Sequence, residues 1–484
     1  MLGGVLSLEA FWEKQAEADF RTQVHQAVDE MLDCLEVNLS DLGSPLPRLH
    51  ELTEAVRQDR ARLSGTIVKA YVERVYGNYL RQDRADCPQC GRSLKGRPGR
   101  LRTVETLVGS VSLERPYFHC AACRKGFYPL DEALGLSAHT KQYDVQEAAT
   151  ELALEMPYAR AVQVLSKWTD ASVSDCVVHE FVQDFGASLR LLDVCPTREE
   201  VQARIAEVGT GHKWKPIMVF AIDGADVPTR PEAAKGTRPG RKKVRARRSR
   251  WKGEYREAKG LRCYLVDEDR IVHLISWHQV QTEEELGQAL RQIQQSGLIP
   301  EQSVRLCVVA DGAPWIWKWV EQLFPWARQI LDFYHCSSYL HAVAEAQYGA
   351  DALRATQWLE ATMARLFCNE GAAVIWGLQR MKPVCSEAEQ AIQRALTYFS
   401  PRLEQVTYGA HRKGGYPIGS GAIESAHRFI VHARLKRSGA WWYQENSNAV
   451  LALRCARYNG TMERVFLNHS RQQPTSSSDH DPKA

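Results

Sequence analysis

Two strongly apolar runs, each followed by an Asp-Gly pair, constrain the fold of this chain most. Ile217–Ile222 precedes Asp223, and Val304–Ala310 precedes Asp311. Short continuous apolar runs, rich in Val and Ile, indicate strands that are buried on both faces of a sheet. A carboxylate beside such a strand is costly unless it lies at the edge of a cleft or binds a cation. The runs therefore predict an α/β sheet that carries acidic groups at its strand ends.

Three acidic residues form the candidate catalytic set. Asp223 and Asp311 are each followed by glycine, which is expected to let the chain turn sharply and a substrate approach closely. Glu424 ends the sequence Gly-Ser-Gly-Ala-Ile-Glu at the start of an amphipathic helical stretch, with Ser420 as the expected N-cap. Carboxylates suit Mg²⁺ or Mn²⁺, and pairs of such ions promote in-line attack on phosphodiesters. The set therefore predicts a metal-dependent enzyme that cuts and joins DNA.

Residues 214 to 333 alternate between strand and helix patterns. After the strand that ends at Asp223, apolar runs flank residues 267–270 as in a hairpin, and Thr282 is expected to cap the next helix. A further strand, a Trp-rich helix and a last strand follow. The order β-β-β-α-β-α-β is that of an RNase H-like core. Residues 337 to about 405 contain no strand pattern and are expected to form an all-α insertion.

The motif Asp-Phe-Tyr-His at residues 332–335 directly follows the last strand of this region. Its position predicts that Asp332 and His335 lie at the same edge as Asp223 and Asp311. Histidine is a frequent acid–base group, so His335 is expected to hold the scissile phosphate or a leaving-group oxygen. A structural hydrogen bond beneath the insertion is the alternative role for this side chain.

Two Cys-x-x-Cys pairs, Cys87/Cys90 and Cys120/Cys123, are separated by 29 residues. Each pair can present two thiolates to one ion, and two pairs complete a tetrahedral Zn²⁺ site without an open position for catalysis. The spacing is longer than usual, and strand patterns within residues 101–116 would fill it with a hairpin. The pairs therefore predict a structural zinc ribbon, with free or redox-active thiols as the alternative.

Apolar residues at three-to-four spacing predict helices in two further regions. Residues 7 to about 80 read as helical, with a break at Ser44–Pro47. Residues 138 to 190 give a helix, a polar turn and a second helix for which Ser172 is the expected N-cap. That pattern fits a DNA-binding helix-turn-helix, and it also fits a plain helical hairpin.

The formal net charge is only +4, from 62 Lys and Arg against 58 Asp and Glu, so the distribution of charge is more informative than its sum. Arg238–Lys252 is basic and contains no acid, which predicts contacts with DNA phosphates or, as the alternative, a solvated loop. Basic residues also follow Glu424, where they would bind phosphates beside the cut. Trp441 and Trp442 could stack on an unpaired base, with core packing as the alternative for one of them. The candidate DNA-binding residues are Arg241, Lys242, Lys243, Arg245, Arg247, Arg248, Arg428, Arg434, Lys436 and Arg437.

No apolar stretch approaches the roughly 20 residues of a membrane helix, and acids occur too early for a signal peptide. The 13 cysteines without such a signal indicate a reducing cytoplasm, and a DNA partner implies association with a bacterial nucleoid. The polar tail is expected to be disordered.

The chain resembles DDE transposases of bacterial insertion sequences, of the ISKra-type family related to Mutator-like elements. The resemblance covers residues 81 to 458 and rests on the cysteine pairs and on AIDGADVP, VVADGAPWIW, DFYH and GSGAIESAHRFIVHARLKRSGAWW. It implies an RNase H-like core with a helical insertion, catalysis by Asp223, Asp311 and Glu424 with Mg²⁺, and terminal-inverted-repeat DNA as substrate. It also matches DFYH to the C/D-x-x-H motif of Mutator-like relatives. Since two element ends are cut and joined, at least a dimer on double-stranded DNA is expected, with the N-terminal helices as its contact.

These patterns divide the chain into seven predicted regions. They are an N-terminal helical region (1–80), a zinc ribbon (81–135), a helix-turn-helix-like DNA-binding region (136–195), the first part of the RNase H-like core (210–336), the all-α insertion (337–412), the final core helix with C-terminal helices (413–468) and a disordered tail (469–484).

Two other functions fit parts of the same pattern. An RNase H-like nuclease or junction resolvase would cut without joining, and a domesticated DNA-binding regulator would do neither. The cysteine pairs, the helix pair and the insertion favour recognition of element ends, which a general nuclease does not need. Intact acids at all three positions argue against the regulator.

Overall fold

The computed structural model describes residues 8–41, 48–231, 252–268, 270–349 and 351–472, without the side chains of residues 8–16 and 38–41. The chain forms two compact units. The first comprises residues 1–182 and 466–484, and the second comprises residues 183–465. Among the described residues, no helix combines the length and the apolar character that crossing a membrane requires.

The first unit begins with helices, as the apolar spacing predicts. They are α1 (Leu8–Asp41), α2 (Leu49–Val75) and α3 (Gly77–Leu80). The first two pack against each other, and Arg62 Nη2 pairs with Glu30 at 2.9 Å across their contact. The break expected at residues 44–47 lies outside the described residues.

Five strands follow: β1 (Arg84–Asp86), β2 (Ser93–Lys95), β3 (Arg97–Thr106), β4 (Gly109–Cys120) and β5 (Lys125–Phe127). β1 pairs with β2, and β3, β4 and β5 form a separate antiparallel sheet. The hairpin expected between the cysteine pairs is therefore confirmed, as β3 and β4. Phe118 of β4 and Phe127 of β5 are buried and stack with ring centroids 5.7 Å apart. Buried Asp131 accepts a 3.0 Å hydrogen bond from Arg115 Nη2.

The next helices are α4 (Pro129–Ala133), α5 (Tyr143–Glu155), α6 (Tyr158–Trp168) and α7 (Asp175–Gly186). The helical stretches expected in residues 138–190 are confirmed as α5, α6 and α7, and the expected polar turn lies between α6 and α7. The expected N-cap, Ser172, is wrong. α7 begins later, and Ser174 Oγ accepts a hydrogen bond from the Val177 N–H at 3.3 Å, so the turn is two residues longer than the serine pattern indicates.

The second unit is built around a mixed sheet. Its first elements are α8 (Leu191–Val194), α9 (Arg198–Gly209), β6 (Ile217–Thr229), β7 (Glu254–Asp267), β8 (Arg270–Val280), α10 (Glu283–Ser296), β9 (Arg305–Ala310), α11 (Pro314–Leu323), β10 (Arg328–Leu331) and α12 (Phe333–Tyr348). The strand order is β10-β9-β6-β7-β8. β7 is antiparallel to β6 and β8, whereas β9 and β10 run parallel to β6. The predicted succession of strands and helices from β6 to β10 is confirmed, and Thr282 caps α10 as expected.

Helices complete this unit: α13 (Ala352–Phe367), α14 (Gly371–Arg380), α15 (Ser386–Phe399), a 3-10 segment (Ser400–Val406), α16 (Tyr408–Lys413), α17 (Gly421–Ala426), a π-helical segment (His427–His432), α18 (Ala433–Leu435), α19 (Gln444–Asn459) and α20 (Met462–Gln472), which extends into the first unit. The described part of residues 337–405 is free of strands, as predicted. Two helices, α9 and α14, were not predicted from the sequence. α9 carries a clear signal, since Thr197 and Glu200 form a reciprocal capping box.

Candidate active site

Asp223 and Asp311 lie on neighbouring parallel strands at the point where one of them ends. β9 pairs with β6 up to Ala310, which lies opposite Ile222. Asp311 directly follows Ala310, and Asp223 directly follows Ile222. The two carboxylates are thus brought together at one edge of the sheet, as the two apolar runs predict.

The expectation that β6 ends at Asp223 is wrong. The strand continues to Thr229, and Asp223 pairs with Gly260 of β7. Gly224 therefore makes no sharp turn. It provides space instead, because a Cβ there would lie 2.9 Å from the carboxylate carbon of Glu257. The opening beside Asp223 arises because β9 stops, not because β6 does.

The environment of Asp223 disfavours its charged form. Burial raises the pKa of Asp223 to about 6, and the nearby Asp311 carboxylate adds to the increase, against the effect of the 2.8 Å hydrogen bond from the Gly224 N–H. Asp311 Oδ1 accepts from the Ala313 N–H at 2.9 Å. A carboxylate whose charge is disfavoured by burial and by a second carboxylate suits a hard divalent cation, because the charge of the cation would offset both effects.

Glu424 is carried on the same face of the sheet as Asp223. Ala221 shares that face, because side chains alternate along a strand, and it pairs with Arg262 of β7. Arg262 Nη1 donates to the Ala422 carbonyl at 2.7 Å, which holds the start of α17 over this face. The Glu424 side chain is exposed. Among the described residues, the four cysteines are the only group of three or more possible metal ligands whose ligand atoms all lie within 4.8 Å of one another. The oxygens of Asp223, Asp311 and Glu424 are therefore more widely spaced than this.

Asp332 and His335 join this edge of the sheet. Asp332 is buried, caps α12, and accepts hydrogen bonds from the His335 N–H at 2.7 Å and, through its other oxygen, from the Ser420 N–H. Burial acts to raise the pKa of Asp332, but the hydrogen bonds from His335 and Ser420 outweigh it and lower the pKa. Ser420 was expected to cap α17 through its hydroxyl. That expectation is wrong, since its side chain makes no capping hydrogen bond.

His335 is half-exposed beside the two aspartates. Its Nδ1 lies 3.2 Å from Asp332 Oδ1. This hydrogen bond raises the pKa of His335, and the charges of Asp332, Asp311 and Asp223 raise it further. The structure therefore brings His335 into the electrostatic field of Asp223 and Asp311, while its Nδ1 also hydrogen-bonds Asp332.

His427 lies beside the candidate site, and its proximity to Asp223 was not predicted from the sequence. It is buried, and its Nδ1 lies 3.8 Å from Asp223 Oδ2. Burial lowers the pKa of His427 to about 4, so the ring is neutral at physiological pH. The available signal was its position three residues after Glu424, on the same side of the helix.

The candidate DNA-binding residues divide into three groups. Arg428, Lys436 and Arg437 are exposed on the segment that follows Glu424. Arg434 is the exception to the prediction, because it is buried and its guanidinium carbon lies 4.8 Å from the centre of the Trp442 ring. The six residues Arg241, Lys242, Lys243, Arg245, Arg247 and Arg248 lie outside the described residues.

Of the two tryptophans, Trp442 packs in the core. Its Nε1 donates to the Leu435 carbonyl at 3.1 Å, and the side chain is buried. Trp441 is partly exposed and lies 5.8 Å from Tyr255, measured between ring centroids. Only Trp441 retains a surface on which a base could stack.

The four cysteines of the first unit form a compact cluster. Cys87 and Cys123 have their Sγ atoms 3.9 Å apart, and those of Cys90 and Cys120 are 3.6 Å apart. A tetrahedral ion with bonds of about 2.3 Å to sulfur requires sulfur separations of about 3.8 Å. The Cys123 N–H lowers the pKa of the Cys120 thiol to about 7, whereas the contact with Cys90 raises the pKa of the Cys123 thiol to about 12. The cluster could therefore bind a metal such as zinc.

Comparison with protein families matches part of the chain. The model of an uncharacterised protein family, UPF0236, matches residues 46–212. That segment contains the cysteine cluster and helices α5 to α7, and it ends before β6. A search of curated proteins finds no match.

Proposed function

We propose that this chain is a DDE transposase of the ISKra type, which binds the terminal inverted repeats of an insertion sequence and catalyses metal-dependent DNA strand cleavage and strand transfer. One observation carries the proposal. Asp223 on β6 lies next to Asp311, which directly follows β9, and the helix of Glu424 lies over the same face of the sheet as Asp223. The strand order β10-β9-β6-β7-β8, with only β7 antiparallel to the others, supports an RNase H-like core.

In this proposal Asp223, Asp311 and Glu424 hold Mg²⁺ or Mn²⁺. When bound, such ions supply an activated water or 3′-hydroxyl and stabilise charge on the phosphate. Asp332 fixes the His335 ring through Nδ1, which leaves Nε2 to donate to a phosphate or leaving-group oxygen. Arg428, Lys436 and Arg437 would bind the flanking phosphates. The cysteine cluster, as a zinc ribbon, would contribute to recognition of the element ends, and the protein would act as at least a dimer.

The test is strand cleavage and joining by the full chain on double-stranded DNA that carries the repeats flanking its coding region. Wild type with Mg²⁺ is expected to cut the repeat ends and join them to target DNA. Asp223→Asn should lose both activities by several orders of magnitude and keep DNA binding. Asp267→Asn is the matched control. Asp267 ends β7 directly after Val266, which pairs with Ile217 at the far end of the β6–β7 ladder from Asp223, and its side chain pairs with Arg270.

Each other result identifies an alternative. Cleavage without joining would favour the nuclease or resolvase, and DNA binding without metal-dependent nicking would favour the regulator. Full cleavage by the Asp223→Asn protein would contradict the proposed catalytic set.

A further inference from the structure

We infer that His427 is a positioning residue for the Asp223 carboxylate, and that His278 and Gly260 hold the His427 ring in place. The inference rests on the proposed function, because it concerns how Asp223 is presented to a divalent cation. It assigns a role to two buried histidines that the proposed catalytic set does not use.

The two oxygens of Asp223 face different surroundings. Oδ1 accepts the 2.8 Å hydrogen bond from the Gly224 N–H. Oδ2 faces His427 Nδ1 at 3.8 Å, and the side chains of Asp223 and His427 are 27% and 6% exposed. His427 therefore closes the buried side of the carboxylate. The exposed 27% of the Asp223 side chain is the part that a cation could reach.

His278 supports this arrangement from across the sheet. Asp223, Gly260 and His278 lie in one row, on β6, β7 and β8. The His278 ring is fully buried and packs edge-on against His427, with ring centroids 5.2 Å apart. A Cβ at Gly260 would lie 2.2 Å from His278 Cδ2. Glycine at this position thus lets the imidazole lie across β7, towards Asp223.

The chemistry of these rings argues for a role beyond packing. Within the described residues, His427 Nε2 and both ring nitrogens of His278 have no hydrogen-bond partner. Burying such groups costs free energy that phenylalanine rings of similar size would avoid. Two imidazoles in a row behind a candidate metal ligand are therefore best explained by their effect on that ligand. Residues that orient a ligating carboxylate typically change metal affinity when they are replaced.

The backbone around His427 is consistent with this role. The π-helical segment begins at His427, immediately after α17, and π turns are frequent at functional sites. A single helical segment thereby supplies both Glu424, exposed at the site, and His427, buried behind Asp223. The two side chains contribute different functions: one is a candidate ligand, and the other fixes a ligand.

The test is Mn²⁺ binding to the full chain without DNA, measured by isothermal titration calorimetry. His427→Phe keeps a flat aromatic ring, slightly larger than imidazole, and removes Nδ1, and it should weaken Mn²⁺ binding by at least about tenfold. His427→Asn restores a polar nitrogen near the Nδ1 position and should recover most of the affinity. His278→Asn, which acts only through His427, should weaken binding by a smaller factor. His411→Asn is the control, because His411 is equally buried but lies on α16 and bonds to Thr407.

The outcomes separate this inference from the proposed function. If Asp223→Asn binds Mn²⁺ as tightly as wild type does, the proposed metal site is wrong. If Asp223→Asn loses Mn²⁺ but His427→Phe binds like wild type, the positioning role of His427 is wrong. Should His427→Phe fail to fold, His278→Asn decides, and wild-type affinity in that variant overturns the inference. The Mn²⁺ concentration for half-maximal cleavage should rise in the same ratio as the dissociation constant.

Discussion

The backbone N–H of Ser420 donates a hydrogen bond to the buried carboxylate of Asp332, which ties the end of β10 to the loop that precedes Glu424. The other oxygen of Asp332 accepts from His335. One carboxylate therefore fixes both the loop before a candidate metal ligand and the candidate acid–base group. Loss of this side chain should disturb the site without removing any group that contacts substrate.

Asp332→Ala is expected to cost about 1–3 kcal/mol of stability, because it leaves the buried N–H of Ser420 and the partly buried N–H of His335 without their acceptor. Cleavage should fall by about 10- to 100-fold through misplacement of Glu424 and His335. Thermal unfolding and cleavage assays on the same preparations check both effects. Asp351→Ala is the control, since Asp351 also caps a helix, α13, through the Arg354 N–H at 3.0 Å. The Asp351→Ala protein should lose stability and keep its cleavage activity. Equal cleavage activity in the two variants would contradict the positioning of Glu424 and His335 by Asp332.

Much of the sheet is predictable because continuous apolar runs report burial on both faces. The residue at which each strand loses a hydrogen-bonded neighbour is not predictable in this way. β6 continues beyond Asp223 because β7 pairs with it as far as Thr229, whereas β9 has already ended. After Gly224, β7 is therefore the only described strand that pairs with β6. No local signal in the sequence marks the loss of the second neighbouring strand.

In the candidate site, too, local sequence patterns predict some residues, whereas the roles of others depend on contacts with distant residues. Acids after apolar runs are visible in the sequence, as are the cysteine pairs. The burial of Arg434 is not, because Trp442 reaches it only after the chain turns back on itself. The position of His427 also depends on distant residues, since its neighbours Asp223 and His278 come from two strands of the sheet. Whether a basic or imidazole side chain near a candidate acid is exposed or buried therefore cannot be read from the sequence until the packing is known.

Asp223→Asn should stabilise the metal-free protein at pH 7.5. The folded-state pKa of Asp223 is about 6, above its ordinary value of 3.8, so the folded state binds more protons between these values and loses stability as pH rises through 6. Removing the charge should contribute on the order of 2–3 kcal/mol at pH 7.5 and almost nothing near pH 4. Urea unfolding at several pH values measures the difference. A gain that does not vary with pH would contradict the burial of this charge.

Cys120→Ser should prevent metal binding by the cysteine cluster and destabilise the β3–β5 sheet. Purified wild-type protein is expected to contain one zinc per chain, and the variant should contain none, because three thiolates hold the ion poorly. Binding to element ends should weaken, while the second unit keeps its own unfolding transition. Cys176→Ser is the control, since Cys176 is exposed and lies on α7. Elemental analysis decides, and a wild-type protein free of zinc would refute the assignment.

The double variant Arg428→Ala/Lys436→Ala should bind DNA more weakly, by the same factor for repeat and unrelated sequences. Both residues are exposed on the segment after Glu424, where they would contact phosphates, and phosphate contacts carry no base information. Each lost contact should reduce the slope of log affinity against log salt by about 0.9, so the slope should fall by nearly 2. The control Lys213→Ala/Lys318→Ala removes the same charge from exposed positions before β6 and on α11. Equal slopes in the two double variants would mean that net charge alone governs binding, and that this segment does not contact the DNA backbone.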